Sequence, residues 1–273
     1  MRTGVRISER RACGLMEIAR STARRQPLES SPNQALQARI IDLAQARRRF
    51  GYRRIHDLLR REGVQANHKR VYRLYSEAKL SVRKRRRRKL VTVDRQALYL
   101  PGRPNEVWSI DFVMDALASG RRIKCLTIVD DFTRECLDIA VDFGISGDYV
   151  ARVLERIGQF RGLPKAIRTD QGPEFTSRAL DRWAYRQGVA LKLIAAGKPT
   201  QNAYIESFNG KFRDECLNDH YFSNLAHARA LVADWRRDYN EARPHSSLGR
   251  MPPAEFAARH RLRAGDGANQ EIV

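Results

Sequence analysis

The stretch Lys198-Pro-Thr-Gln-Asn-Ala-Tyr-Ile-Glu-Ser-Phe-Asn-Gly-Lys-Phe-Arg-Asp-Glu-Cys-Leu217 constrains the fold more than any other part of the chain. Wound as a helix at about 100° per residue, it puts Asn202, Glu206, Asn209 and Arg213 on one side. Tyr204, Ile205, Phe208, Phe212 and Cys216 fall on the other. The second side is a core face. The first carries an acid, two amides and a guanidinium, a set that solubility does not require, so Glu206 is expected to meet partners from elsewhere in the chain.

Two segments offer them. Glu106-Val-Trp-Ser-Ile-Asp-Phe-Val-Met-Asp-Ala-Leu117 is apolar and β-branched, reads as a strand, and carries Asp111 at its centre. A buried strand Asp is costly unless it is paired or binds a cation. Lys165-Ala-Ile-Arg-Thr-Asp-Gln-Gly-Pro-Glu-Phe175 reads as a short strand ending at Asp170, where Gly172 and Pro173 turn the chain. The carboxyl end of a strand is a common place for function in an α/β sheet. Asp111, Asp170 and Glu206 together have the donor chemistry for two divalent cations of the kind used in phosphoryl transfer.

Trp108-Ser-Ile-Asp111, Thr169-Asp-Gln-Gly-Pro-Glu-Phe175 and Asn202-Ala-Tyr-Ile-Glu-Ser-Phe-Asn-Gly-Lys-Phe-Arg213 resemble the DDE motifs of insertion-sequence transposases with a retroviral-integrase-like core. The likeness is greatest to the second-reading-frame product of the IS-three family. Thirty-five residues separate Asp170 from Glu206, which is that family's spacing, and a basic residue, Arg213, stands seven beyond the acid. The resemblance runs over nearly the whole chain. It implies that Asp111, Asp170 and Glu206 are catalytic and bind two Mg²⁺ ions, with Mn²⁺ a substitute. It also implies DNA cleavage followed by strand transfer, a homo-oligomer on double-stranded DNA, and an upstream-frame protein as fusion or partner. Gln171 departs from the family's usual Asn, and Ala196 stands where Pro is common.

Charge supports a nucleic-acid partner. The chain of 273 residues has a net charge of +21, and residues 1–104 hold 28 Lys and Arg against 8 Asp and Glu. Residues 105–273 hold 24 against 23, so the basic load lies in the amino-terminal third. Phosphate neutralisation makes DNA the first candidate for it. The four cysteines lack metal or disulfide spacing, and no stretch has the length of a membrane span or the form of a signal peptide. A cytoplasmic, nucleoid-associated protein is the expectation.

The expected organisation is α/β: an RNase H-like mixed-sheet catalytic core preceded by a small all-α helix-turn-helix module. Residues 1–30 form a short basic helical hairpin or a helix-turn-helix remnant, broken at Gly14 and resumed near Ser21. Residues 31–82 form three amphipathic helices, the last capped by Asn67, with His68, Lys69, Arg70 and Arg73 on its outer side facing a DNA groove. Residues 83–104 form a linker whose run Arg83-Lys-Arg-Arg-Arg-Arg-Lys89, containing Arg85, Arg86, Arg87 and Arg88, would track phosphates. Residues 105–222 form the core, with strands expected at 107–117, 122–130, 134–142, 165–170 and 190–195. Residues 223–260 supply a helix that Ser223 would cap and a closing motif, Arg243-Pro-His-Ser-Ser-Leu248. Residues 261–273 carry no signal of order.

Asn209, Lys211, Arg213 and Lys198 suit phosphate or base contacts better than metal. Asp115, Asp130, Asp131 and Glu174 compete with the trio, and for each a strand-end, turn or loop role is the simpler reading. Two other functions fit part of the pattern: a metal-dependent nuclease or resolvase of the same fold, and a DNA-binding repressor built on an inactive core.

Overall fold

The computed structural model describes residues 7–24, 31–82, 100–194 and 202–268. The basic run with Arg85, Arg86, Arg87 and Arg88, together with Ala196 and Lys198, lies outside them. Two short helices come first, α1 (Glu9–Leu15) and α2 (Arg20–Ala23), clipped together by Arg24 and Glu9 at 2.7 Å. The expected break at Gly14 falls slightly later. The helix passes through that glycine and stops at Leu15, where Glu17 adopts a left-handed φ of 52°.

Next come α3 (Ser31–Ala46), α4 (Tyr52–Arg61) and α5 (His68–Glu77). Their apolar positions converge on a shared core of Ile40, Ile55, Leu59, Val71, Leu74 and Tyr75. Gly63 has a φ of 82°, which a residue without Cβ adopts at little cost, and it turns the chain out of α4. Asn67 caps α5, its side chain accepting the Lys69 N–H at 2.9 Å.

The core is a five-stranded sheet in the order β3-β2-β1-β4-β5. Strands β1 (Val107–Ala116), β2 (Arg122–Asp130) and β3 (Cys136–Asp142) form an antiparallel meander. β4 (Ala166–Thr169) runs parallel to β1, and β5 (Ala190–Leu193) parallel to β4. The third strand begins two residues later than expected, because Arg134 sits at a φ of 61° in the turn that precedes it. Between β3 and β4 lies α6 (Gly147–Arg161), capped by Ser146, and between β4 and β5 lies α7 (Arg178–Gln187), capped by Ser177. A Cβ on Gly147 would come within 1.9 Å of the Ser177 hydroxyl, so only glycine lets the start of α6 lie this close to the cap of α7.

Alternation along β1 divides the sheet's two faces. Trp108 and Ile110 pack with Leu126, Leu154, Phe175 and Trp183 under α6 and α7. On the opposite face Val113 and Cys125 pack under α8 (Ala203–Glu215) and α9 (Leu225–Glu241), against Ile205, Phe208, Phe212, Val232 and Trp235. Odd-numbered β1 residues thus face α8, and Asp111 is one of them. All four cysteines are reduced and buried, and Cys125, Cys136 and Cys216 lie in the layer beneath α8 and α9.

Asn224 caps α9, accepting the His227 N–H at 2.9 Å, whereas Ser223, the expected cap, has its hydroxyl 3.0 Å from the His227 ring. The last helix, α10 (Pro253–Ala268), continues past Arg261, where order was expected to end. Phe256 and His260 on this helix pack on Phe132 at ring separations of 5.5 and 4.9 Å, which seats its first half on the core. Ion pairs tie the amino-terminal helices to the carboxyl-terminal segments: Arg47 with Asp238, Arg54 with Glu215 at 3.0 Å, Arg61 with Glu255 at 2.8 Å, and Arg250 with Asp57 at 2.7 Å. No helix among the described residues is long and apolar enough to cross a membrane.

Candidate active site

Three elements bring the three acids toward one another. Asp111 lies at the middle of the central strand and is half-buried. β4 pairs in parallel with β1 at Ser109 and Arg168, so two residues on, the chain sets Asp170 beside Asp111. Asp170 stands just past the strand, where its Oδ1 accepts the Gly172 N–H at 2.9 Å and shapes the turn. Glu206 projects from the first turn of α8, where the helix dipole favours a negative charge.

Electrostatics record their proximity. Burial pushes the Asp111 carboxyl up to about 6; the Phe112 N–H pulls it back, Asp170 raises it, the Asn209 amide lowers it, and Glu206 raises it. The hydrogen bonds are explicit: Asp111 Oδ1 accepts the Phe112 N–H at 2.7 Å and Oδ2 accepts Asn209 Nδ2 at 2.8 Å. Among the described residues, no lysine, arginine or histidine forms an ion pair with Asp111, Asp170 or Glu206. Nor do any three His, Cys, Asp or Glu side chains converge closely enough to hold a metal ion. Three like charges gain by standing apart, and closing them around a point requires a cation. Hard oxygen donors free of counter-ions fit Mg²⁺ by their chemistry.

The other predicted contact residues divide. Asn209 is on the site face, but its amide is engaged: Nδ2 holds Asp111, and Oδ1 accepts the Thr127 hydroxyl at 2.9 Å. It therefore positions the acid and is not free for a base or phosphate. Arg213 is exposed on the same face, with Nη2 3.3 Å from the Met114 carbonyl, and remains able to meet DNA. Lys211 does not join them. It lies about 140° around the helix from Glu206, with Nζ bonded to the Ser207 carbonyl at 3.0 Å. Gln171 donates Nε2 to the Ile194 carbonyl at 3.2 Å, so this departure from the family pattern tethers the loop after Asp170 to the end of β5.

On α5, Lys69 is exposed, and Arg73 is exposed 3.7 Å from Glu77. Arg70, expected outside, turns inward, where Nε and Nη2 donate to Asn33 Oδ1 at 2.9 and 2.6 Å and pin α5 to α3.

The competing acids all have structural work. Asp130 accepts the backbone N–H groups of Asn105, Phe132 and Thr133 at 2.8, 2.9 and 2.9 Å. Asp131 pairs with Arg168 at 2.9 Å. Glu174 pairs with Lys124, and Asp115 accepts the Ala116 N–H at 2.8 Å. Thr127 escaped the sequence reading, although the signal was present. A hairpin closed at Ala118–Arg121 sets Thr127 directly across from Asp111, as the register shows. A groove of about 1020 Å³ lined by Arg152, Glu155, Trp183 and Tyr185 runs along α6 and α7, on the sheet face away from the trio.

Against known proteins, two models described as an integrase core domain match residues 101–199 and 187–253, and one described as an HTH-like domain matches residues 31–89. A 31.7 kDa protein of insertion element IS407 from Burkholderia multivorans is 65% identical over 274 residues, covering 100% of this chain and 99% of its own length. The transposase for insertion sequence element IS904 from Lactococcus lactis is 27% identical over 221 residues, covering 76% of this chain and 87% of its own. Among solved structures, the simian T-cell lymphotropic virus intasome in complex with a PP2A regulatory subunit matches with a TM-score of 0.53 at 14% identity, over 70% of this chain and 67% of that one. This last likeness is one of fold.

Proposed function

The chain belongs to the insertion-sequence transposases of the IS-three type, proteins of DNA transposition, and on that footing we propose that Asp111, Asp170 and Glu206 are its catalytic acids, cutting element ends and joining them to a target. The observation that carries this reading is the contrast in charge. Asp111 has Asp170 and Glu206 as charged neighbours and none of the three has an ion-pair partner among the described residues, while Asp131 and Glu174 are paired and Asp130 is held by three backbone N–H groups.

In the first step a water oxygen attacks phosphorus at the element's end, and the bond to the 3′ oxygen breaks, leaving a 3′ hydroxyl and a 5′ phosphate. In the second, that hydroxyl attacks a target phosphodiester and expels a target 3′ hydroxyl. Each step trades one P–O bond for another, so neither an oxidant nor ATP enters. Two Mg²⁺ ions, or Mn²⁺, held by the three carboxylates would neutralise the charge that builds on the reacting phosphate. The chain's own contribution is placement. Asn209, itself held by the Thr127 hydroxyl, fixes the Asp111 carboxylate, Glu206 stands in the first turn of α8, and Arg213 meets a phosphate of the bound end. Lys69 and Arg73 on α5 contact the duplex from the helix-turn-helix module. Two ends joined to one target call for two copies on DNA.

The test is cleavage and joining of a labelled duplex bearing the element's terminal sequence in Mg²⁺, with the native chain and Glu206→Gln compared, each alone and with the upstream-frame product. Joined product made by the native chain and absent with the variant is the expected result. Cleavage without joining would favour the nuclease. DNA binding with no reaction under either condition would overturn the enzymatic reading and leave the repressor.

A further inference from the structure

The side of α8 that turns from the catalytic acids is also charged. Lys211 is largely buried there and gathers three cations from distant parts of the chain: Arg54 on α4, Arg134 in the turn before β3, and Arg243 in the closing segment. The same four surround His245, which is only 5% exposed. Among the described residues, the carboxylate bonded to members of this cluster is Glu215, and it is shared. It accepts Arg243 Nε and Nη2 at 2.7 and 2.6 Å, and Arg54 Nη1 at 3.0 Å. Neither Lys211 nor Arg134 has a carboxylate bonded to it among the described residues. Asp131 also attracts Arg134, but neither of its oxygens is bonded to it: Oδ2 accepts Arg168 Nη1 at 2.9 Å, and Oδ1 is buried without a partner.

Two further features mark the place as incomplete. The Arg134 guanidinium sits over the Tyr204 ring, 3.7 Å from its centre, with Nη1 buried and lacking a hydrogen-bond partner. His245 Nε2 is likewise buried without one. The cost of the arrangement shows in the neighbours: burial and the surrounding guanidinium groups push the Lys211 amine down to about 8 and the His245 imidazole to about 2. Buried cations in excess of acids, with donors to spare, are arranged as an anion would need them.

The anion has a natural source. Arg54 belongs to the first turn of α4, the first helix of a helix-turn-helix pair, and such a helix lies across the backbone of a bound duplex. Its side chain is 35% exposed, so the cluster opens toward solvent beside the DNA-binding module. We propose that Arg54, Arg134 and Lys211 hold a backbone phosphate of DNA on the side of α8 opposite Glu206. One helix then grips the duplex with one face and presents a catalytic acid on the other. This inference rests on the transposase reading for its ligand, and its test separates the two.

Affinity for a nonspecific duplex is measured by fluorescence anisotropy over a series of KCl concentrations, for the native chain, Arg134→Gln/Lys211→Gln and Arg134→Lys/Lys211→Arg. The neutral double variant should bind about tenfold more weakly, and its slope of log K against log salt should be smaller by about one, the signature of a lost phosphate contact. The charge-keeping variant should restore both. Melting temperatures without DNA should be unchanged or higher in the neutral variant, because repulsion has been relieved. Equal affinity and slope in native and neutral variants would overturn the site, and so would a loss that follows a fall in melting temperature. A native chain that binds but never joins would sink the transposase chemistry and leave the slope comparison intact; a joining chain whose slope ignores Arg134 and Lys211 would sink this site alone.

Discussion

One sheet carries two clusters of acids with opposite electrostatics. Asp130, Asp131 and Glu135 are the more deeply buried, at 0%, 0% and 7% exposure, and are matched by Arg161 and Arg168. Asp111, Asp170 and Glu206 are more open, and what they share is one another. Burial therefore does not separate function from support. Neither does a raised carboxyl, since burial pushes both Asp111 and Asp131 up to about 6. The difference lies in the sign of the neighbours. Around Asp131 a serine and two arginines pull the carboxyl back, opposed by Asp130, whereas around Asp111 two further carboxylates push it up. An acid that the fold declines to neutralise is one reserved for something that arrives later.

Four experiments press on that contrast. The largest effect is expected at the open cluster, where Asp111→Asn, Asp170→Asn or Glu206→Gln should each lower joining by at least about 10³-fold while the melting temperature stays near native. A gel assay beside calorimetry reads both quantities. At the paired cluster the effect should fall on stability. Arg168→Met strands a buried Asp131 charge and should cost about 3–5 kcal/mol in urea unfolding, with Asp131→Leu in the same chain recovering most of it. Loss of joining at native stability in Arg168→Met would erase the distinction between the clusters.

A smaller effect should follow at Asn209. Its replacement by Ala removes the amide that holds Asp111, and joining is expected to drop about 10- to 100-fold with little change in folding, as for groups that orient a metal ligand. The smallest is a pH effect on the metal-free protein. The Asp111 carboxyl titrates near 3.8 when unfolded and about 6 when folded, so across that window the folded state holds a proton that the unfolded state has lost. Stability should thus fall as pH rises from about 4 to 6, by on the order of 1 kcal/mol after allowing for partial exposure. Asp131 acts in the same direction and window, so Asp111→Asn should flatten part of the slope and leave the rest.

Much of this was legible in the residues. Apolar alternation and β-branching placed β1, and the turn residues at Ala118–Arg121 closed its hairpin. Asn67, Ser146 and Gly63 marked helix ends by their own chemistry. The spacing of Asp170 and Glu206 was readable, and the side of α8 on which Lys211 falls follows from a helical period alone. What was not legible depends on tertiary pairing. The partner of Arg70 is an amide 37 positions away, and nothing local says that it turns inward. Asn224 and Ser223 are adjacent and both suited to capping, so the backbone decided between them. Past Arg261, helical order follows from a start seated on Phe132, a contact invisible in the tail itself.

The buried thiols give the molecule a built-in clock. Burial pushes Cys125 and Cys216 up to about 12 and Cys136 well above the ordinary range, so at neutral pH almost none of the reactive thiolate is present. An alkylating reagent reaches these three thiols only when the layer beneath α8 and α9 opens, and its rate of uptake at Cys125, Cys136 and Cys216 counts those openings. The layer under α6 and α7 has no cysteine among its buried residues and stays silent. Modification timed in the presence and absence of DNA would therefore report, from one half of the sheet only, whether gripping a duplex stills the helix that carries Glu206.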